Sequence, residues 1–416
     1  MLSRLIQTNF YRNSSSFVNG KITYHMFSEI DNEKHARLKR PVVHHYSASK
    51  VRVMEPLVDK VLLEFCDHLQ KRFVNPEKAC DFGNWLAYFA WDFLGAVTFS
   101  KKFGYMEEGY DFDGTLAIAD KAIDYLGVCG QMPWLDYCLD KNPVYPLGPP
   151  NIANVTRIAI ERLTIRSKGE DTEFRPDRPD FLQYFMESKE SHPKFVNDTT
   201  IVGYTLLNLL AGADTTTITM KALFYYCLKN KPAWEKLQAE VRSNLQPGTP
   251  ASHSAMRALP YLEAVINETL RYHPAVSMPM ERIVPQGGLA LSDGSVVPAG
   301  SVVGMNPYIV GRNKVMFGSD ADEFRPERWL QQNDESDAAF KERLQRWGSG
   351  NINFGGGSRI CLGRNLSMME VYKVVPTLIA TFDFELSDPN EQWWTCSRWF
   401  FRAKGVTCNI RARSGE

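Results

Sequence analysis

The chain has 416 residues, 44% of them hydrophobic, enough to bury a large core; Lys+Arg and Asp+Glu both total 48, so no basic footprint for nucleic acid exists. Eight scattered cysteines without a Cys-x-x-Cys pair suggest neither a disulfide framework nor a zinc site. Small molecules become the expected partners, in a reducing compartment.

Met1 to Gly20 is polar and lacks the apolar run of a signal peptide. Apolar residues then recur at helical spacing in Val53 to Phe73, Trp85 to Phe99, Leu116 to Leu126, Ile152 to Leu163 and Thr200 to Leu228. The last of these is broken by Asn208, Asp214 and Lys221, so no membrane span is expected there. Helices follow at Ala233 to Leu245, Tyr261 to Tyr272 and Leu362 to Thr381, with Pro232 as a start and Pro274 as a stop. Short strands are expected in Ile283 to Val303, around an Asp293-Gly294 turn, and a terminal β pair in Trp393 to Ile410. Gly83, Pro143 to Pro150 and Gln246 to Pro250 mark loops, and Arg312 to Gly350 is polar without strong periodicity. The expected class is mainly α with minor β, in a single domain over residues 1–416.

Four motifs carry chemistry. Ala211-Gly212-Ala213-Asp214-Thr215-Thr216 opposes its own helix; the Thr215 hydroxyl can compete for the Ala211 carbonyl and open a groove for water, to which Asp214 can pass protons. Glu268 and Arg271 share a helical face, and Arg328 in Phe324 to Trp329 is a candidate third member of a buried network. In Phe354-Gly355-Gly356-Gly357-Ser358-Arg359-Ile360-Cys361-Leu362-Gly363 a cysteine opens a helix, where the dipole and backbone N–H groups favour a thiolate and lower its pKa. Glycines leave room for a flat macrocycle and Arg359 can reach its acidic edge. Taken singly, each motif has a plainer reading: a small core cysteine, a surface ion pair, a packing accident.

Together, in this order and spacing, the four resemble the cytochrome P450 family, from about Phe17 to the carboxyl end. The local wording is similar to filamentous-fungal members near the pisatin demethylase group. The resemblance implies haem b held by Cys361 as axial thiolate, with Phe354, Gly355, Gly357, Gly363 and Ala211 against the macrocycle. Arg359, Arg282, His35 and Lys39 would hold its propionates, Lys39 standing where arginine is common. Thr215 and Asp214 would be the oxygen-activation pair, and Glu268, Arg271 and Arg328 the structural triad.

The implied reaction inserts one atom of dioxygen into a lipophilic secondary metabolite, with NADPH electrons arriving through a flavoprotein reductase. Leu207, Leu210, Ala275, Val276 and Met278 suggest the substrate pocket, closed by Trp399. The chain is expected to be a monomer. Against microsomal members it lacks the anchor, the first helix and most of the larger sheet, so either the sequence starts late or the protein is a truncated form, and the chain as written is expected to hold haem poorly. The family's place is the cytosolic face of the endoplasmic reticulum; without an anchor the expectation is cytoplasmic. Two alternatives stay open: a haem-thiolate isomerase or peroxide-using enzyme, against which Thr215 argues, and a non-catalytic haem binder or inactive truncated product.

Overall fold

The computed structural model describes residues 5–18, 21–145, 147, 148 and 153–413. Residues 1–4, 19, 20, 146, 149–152 and 414–416 lie outside the described residues.

The expected class holds: helices dominate and the strands are short. The main helices are α1 (Asn32–Lys39), α2 (Glu55–Leu69), α3 (Phe82–Phe99), α4 (Thr115–Cys129), α5 (Pro133–Cys138), α6 (Ala153–Ser167), α7 (Phe181–Ser191), α8 (Asp198–Lys229), α9 (Lys231–Asn244), α10 (Pro260–Tyr272), α11 (Asp337–Gly350) and α12 (Arg364–Thr381). Side-chain caps fix several starts. Asp31, Asp81, Asp180, Asn197, Asn230 and Ser336 each accept from a backbone N–H of the first turn.

Three expectations are corrected here. Gly83 is not a loop residue but lies in the first turn of α3, where Asp81 caps the helix ahead of it. The polar stretch before Gly350 contains α11, whose Trp347 packs with Phe317 and Trp329 in a small core of its own. The end of the chain is not a simple β pair. Trp394–Arg398 and Phe400–Lys404 form a hairpin, whereas Thr407–Ala412 pairs with Phe382–Leu386 and Cys80–Asp81. Arg282–Ile283 takes Ile6–Gln7 and Val302–Val303 as antiparallel neighbours, and Leu289–Ala290 pairs with Val296–Val297 around the expected Asp293-Gly294 turn.

α8 runs through the middle and packs on α3 most closely. Gly212 permits that contact, since a Cβ there would stand 2.8 Å from Leu94 Cδ1. Phe89, Phe93, Leu209, Leu223, Phe224, Leu262, Val374 and Leu378 form one core from α3, α8, α10 and α12, all fully buried. Burying a side chain of that size contributes about 1.5–3 kcal/mol. The core sets α8 opposite the start of α12, and the site lies between them.

Candidate active site

Between α1, α8, the start of α12 and the Trp399 hairpin lies a cavity of about 1540 Å³. Typical small-molecule pockets are about 300–1,000 Å³, so this one has room for a large cofactor together with a second ligand.

The cysteine loop forms one wall. The Cys361 N–H donates to the Phe354 carbonyl at 2.8 Å, and Gly355 and Gly357 turn the chain at φ 69° and 61°, a region that strains any residue with a Cβ. Cys361, Phe354, Gly355 and Gly363 border the cavity, whereas Gly357 does not; its part is the turn. Helix α12 begins at Arg364, three residues after the cysteine that was expected to open it. Cys361 is open to the cavity but ringed by protein. Burial pushes its thiol above the ordinary range, outweighing the Gly363 and Arg364 N–H groups and the charges of Lys39 and Arg364. The lowered pKa expected from the sequence is therefore not a property of the loop alone; a coordinating metal deprotonates a thiol outright.

A second wall carries positive charge. Arg282, Arg359, His35 and Lys39 all border the cavity, and their hydrogen bonds go to neutral groups. Arg282 donates to the Tyr11 hydroxyl at 2.9 Å and Arg359 to the carbonyls of Glu29 at 2.6 Å and Ile30 at 3.3 Å. Lys39 is tied to the cysteine loop through the carbonyls of Ser358 at 2.6 Å and Ile360 at 3.4 Å. Burial, then repulsion from Arg282, holds Arg359 down to about 10; burial, then Arg359 and Lys39, holds His35 down to about 3. Arg359 Nε is buried without a hydrogen-bond partner. Mutually repelling cations and an unpartnered guanidinium nitrogen beside one soft sulfur fit a dianionic macrocycle with a central metal.

Facing the sulfur's wall is α8. The Thr215 hydroxyl donates to the Ala211 carbonyl at 2.9 Å, as its spacing suggested, and both residues border the cavity. Asp214 does not. Its carboxyl faces Asp120, Lys221, Arg402 and Trp91, with Oδ2 unpartnered, and burial first, then Asp120, pushes it up to about 7. Its folded pKa lies above its unfolded one, so folding takes up a proton between about pH 4 and 7 and stability falls as pH rises through that window. Asp214→Asn should flatten this fall; thermal midpoints at pH 5 and 7 check it, and an unaltered slope would mean that Asp214 titrates normally.

Leu207, Leu210, Ala275, Val276 and Trp399 border the cavity, but Met278 does not. Its sulfur lies behind the wall and accepts the Trp399 N–H at 3.0 Å, while Met280 takes the lining place. Trp399, alone at the hairpin tip, has φ 74° and is only 5% exposed. Phe10, Tyr11 and Phe27 hold its ring at 4.9, 6.1 and 6.2 Å, which sustains that strained backbone.

Sequence reasoning missed Glu370, a cavity residue only 1% exposed with Oε1 unpartnered. Burial raises its pKa well above the ordinary carboxylate value, and the hydrogen bond from Thr216 only partly offsets this. A charged residue inside an apolar helix was the available signal.

Behind the loop, Glu268 is fully buried and accepts from Arg271 Nε and Nη2 at 2.7 Å each, Arg328 Nε at 3.0 Å, Trp329 Nε1 at 2.9 Å and the Arg325 N–H at 2.7 Å. The three residues proposed as a network do meet. Asp320 joins them through Arg328 at 3.1 Å.

A cysteine sulfur open to the cavity just ahead of a helix, a cationic rim and a groove-forming threonine define a haem-thiolate type of site. The cytochrome P450 family model matches residues 5–401, and the chain belongs to that family. It is 42% identical to the cytochrome P450 monooxygenase cfoH of Aspergillus candidus, over 98% of this chain and 76% of that protein. Identity is 35% to cytochrome P450 monooxygenase cicH of Emericella nidulans, covering 98% and 81%. To cytochrome P450 monooxygenase mpaDE of Penicillium brevicompactum it is 33%, covering 97% of this chain and 47% of that longer protein. The chain is a haem monooxygenase of fungal type. Among the described residues, no helix is long and apolar enough to cross a membrane.

Proposed function

We propose that this monooxygenase oxygenates a lipophilic secondary metabolite, with Cys361 as the thiolate that would hold the haem iron and electrons from NADPH through a flavoprotein reductase. The observation that carries the assignment is the Cys361 sulfur opening onto a large cavity rimmed by cations without carboxylate partners. Bound haem would supply the activation of dioxygen and the insertion of one of its oxygen atoms into a C–H bond, the other leaving as water with two electrons from NADPH and two protons.

The chain's own residues do the rest. Arg282, Arg359 and His35 orient the macrocycle through its acids, and Lys39 steadies the cysteine loop through the Ser358 carbonyl. Leu207, Leu210, Ala275, Val276 and Trp399 exclude water and hold the substrate's apolar body. The Thr215 hydroxyl, drawn onto the Ala211 carbonyl, positions water on the α8 face. Asp214 faces Asp120, Lys221 and Arg402 outside the cavity lining and has no direct contact with the Thr215 hydroxyl.

Thr215→Ala should uncouple turnover, with more hydrogen peroxide per NADPH oxidised and product per NADPH down roughly 100-fold, the low end of what a positioned proton donor contributes. Peroxide assay beside product quantification reads this directly. Unchanged coupling would remove Thr215 from oxygen activation and favour the peroxide-using alternative.

A further inference from the structure

The cysteine loop and α1 hold each other by two cations that cross in opposite directions. Lys39, in the last turn of α1, donates to the carbonyls of Ser358 at 2.6 Å and Ile360 at 3.4 Å. Arg359, the residue between those two carbonyls, reaches back to the start of α1 and donates to the carbonyls of Glu29 at 2.6 Å and Ile30 at 3.3 Å and to Asn32 Oδ1 at 3.0 Å. Each cation is seated on neutral oxygens of the other element.

Local sequence explains the placement. Asp31 caps α1 by accepting the N–H groups of Glu33 and Lys34, which fixes where the helix starts and so which residues face the loop. His35 and Lys39 stand four residues apart on that face, and both border the cavity. Lys39 is also at the carboxyl end of the helix, where the macrodipole favours a positive charge. An ammonium carries three donors, and the loop carbonyls take two of them.

The pairing leaves the charge itself in place. Among the described residues no carboxylate pairs with Lys39, and carbonyl dipoles hold an ammonium without neutralising it. The Ile360 carbonyl belongs to the peptide bond that joins Cys361, so the charge is tethered beside the sulfur and acts on it. Arg364 acts on the same sulfur, but it is exposed, with its guanidinium 5.5 Å from the Phe354 ring, where solvent and salt screen it. A group that touches neither the metal nor its ligand atom can still tune a haem, through the hydrogen bonds and charge around the axial sulfur.

We propose that Lys39 is a positioning residue for the thiolate and not a propionate ligand: seated on the Ser358 and Ile360 carbonyls, it fixes a positive charge beside Cys361, restrains electron donation by the bound thiolate and raises the reduction potential of the haem iron. This rests on the Cys361 assignment above and adds what sets the iron's readiness to accept an electron.

The test compares haem-loaded wild type with Lys39→Met and Lys39→Arg. Redox titration gives the midpoint potential, and resonance Raman of the ferric high-spin form reads the iron–sulfur stretch and the propionate bending mode separately. Lys39→Met should shift the ferrous-to-ferric ratio about tenfold toward ferric at a fixed applied potential, about 59 mV for a one-electron couple. Its iron–sulfur stretch should rise, because the thiolate donates more strongly once the charge is gone, and its propionate mode should stay in place. Lys39→Arg keeps the charge and should bring both readings back near wild type.

A Lys39→Met protein with the wild-type potential would overturn the proposal. So would a lowered potential with a moved propionate mode and an unmoved iron–sulfur stretch, which would return Lys39 to the macrocycle's acids. If Lys39→Met loads no haem, Lys39→Gln takes its place with the same expectations, since its amide can still donate to a loop carbonyl without carrying charge. A wild type without an iron–sulfur stretch would fail the Cys361 reading and this one with it, whereas a stretch that is present and unmoved fails this one alone.

Discussion

Glu268→Ala is expected to give protein with little haem and a thermal midpoint far below wild type. Among the described residues Glu268 is the only carboxylate that meets both Arg271 and Arg328, and these are 3% and 1% exposed. Its removal leaves two guanidiniums buried with their main counter-charge gone. Breaking a buried pair in this way costs about 3–5 kcal/mol, a large share of a typical stability of about 5–15 kcal/mol.

The damage would not stay local. Arg271 also donates to the carbonyls of Gly311 at 2.5 Å, Ala321 at 2.7 Å and Glu323 at 2.8 Å, and Arg328 to that of Phe317 at 2.8 Å. These bonds shape the irregular segment between α10 and α11, and Trp347 on α11 donates to the Met316 carbonyl at 2.7 Å just ahead of the cysteine loop. Glu268→Gln, which keeps the shape and loses the charge, should fall between the two. Haem per protein and thermal unfolding on the same preparations decide it. A Glu268→Ala protein with wild-type haem content and midpoint would mean that the network does not hold the loop.

Helices whose apolar residues recur every three or four positions were legible from sequence to within a few residues, because burial of one face dictates both the pattern and the fold. α8 and α10 are the clearest cases. α7 was missed, although Asp180 caps it and Phe181, Leu182 and Phe185 are buried, because its other face is polar and a deep loop looks much the same. The four motifs were legible because each needs particular residue types at fixed spacing. Non-local packing was not. Asp214 shares the helical stripe of Leu207 and Leu210, so a one-face reading places it in the cavity. The hairpin carrying Arg402 covers that stripe, and Ile218, one turn on, packs with Trp399 and Phe400. Met278 and Met280 differ only in which way a short irregular segment turns, and neither composition nor period records that.

Cys361→His is expected to have the other large effect, the complete loss of thiolate character. Cys361 brings the only sulfur of the Phe354–Gly363 loop to the cavity, and the Gly363 and Arg364 N–H groups that favour its charge are in place. Imidazole is larger and carries no negative charge, so it cannot stand in for a thiolate. The fold should tolerate the change, because Cys361 opens to the cavity and contributes little to the core. The measurement is the carbon monoxide difference spectrum of reduced, haem-loaded protein, wild type beside Cys361→His. The wild type should give the red-shifted Soret band of a thiolate-ligated haem, and the variant should give none of it at equal haem content. A thiolate band that survives in Cys361→His, or a haem-loaded wild type without one, would contradict the assignment of Cys361 as the axial ligand.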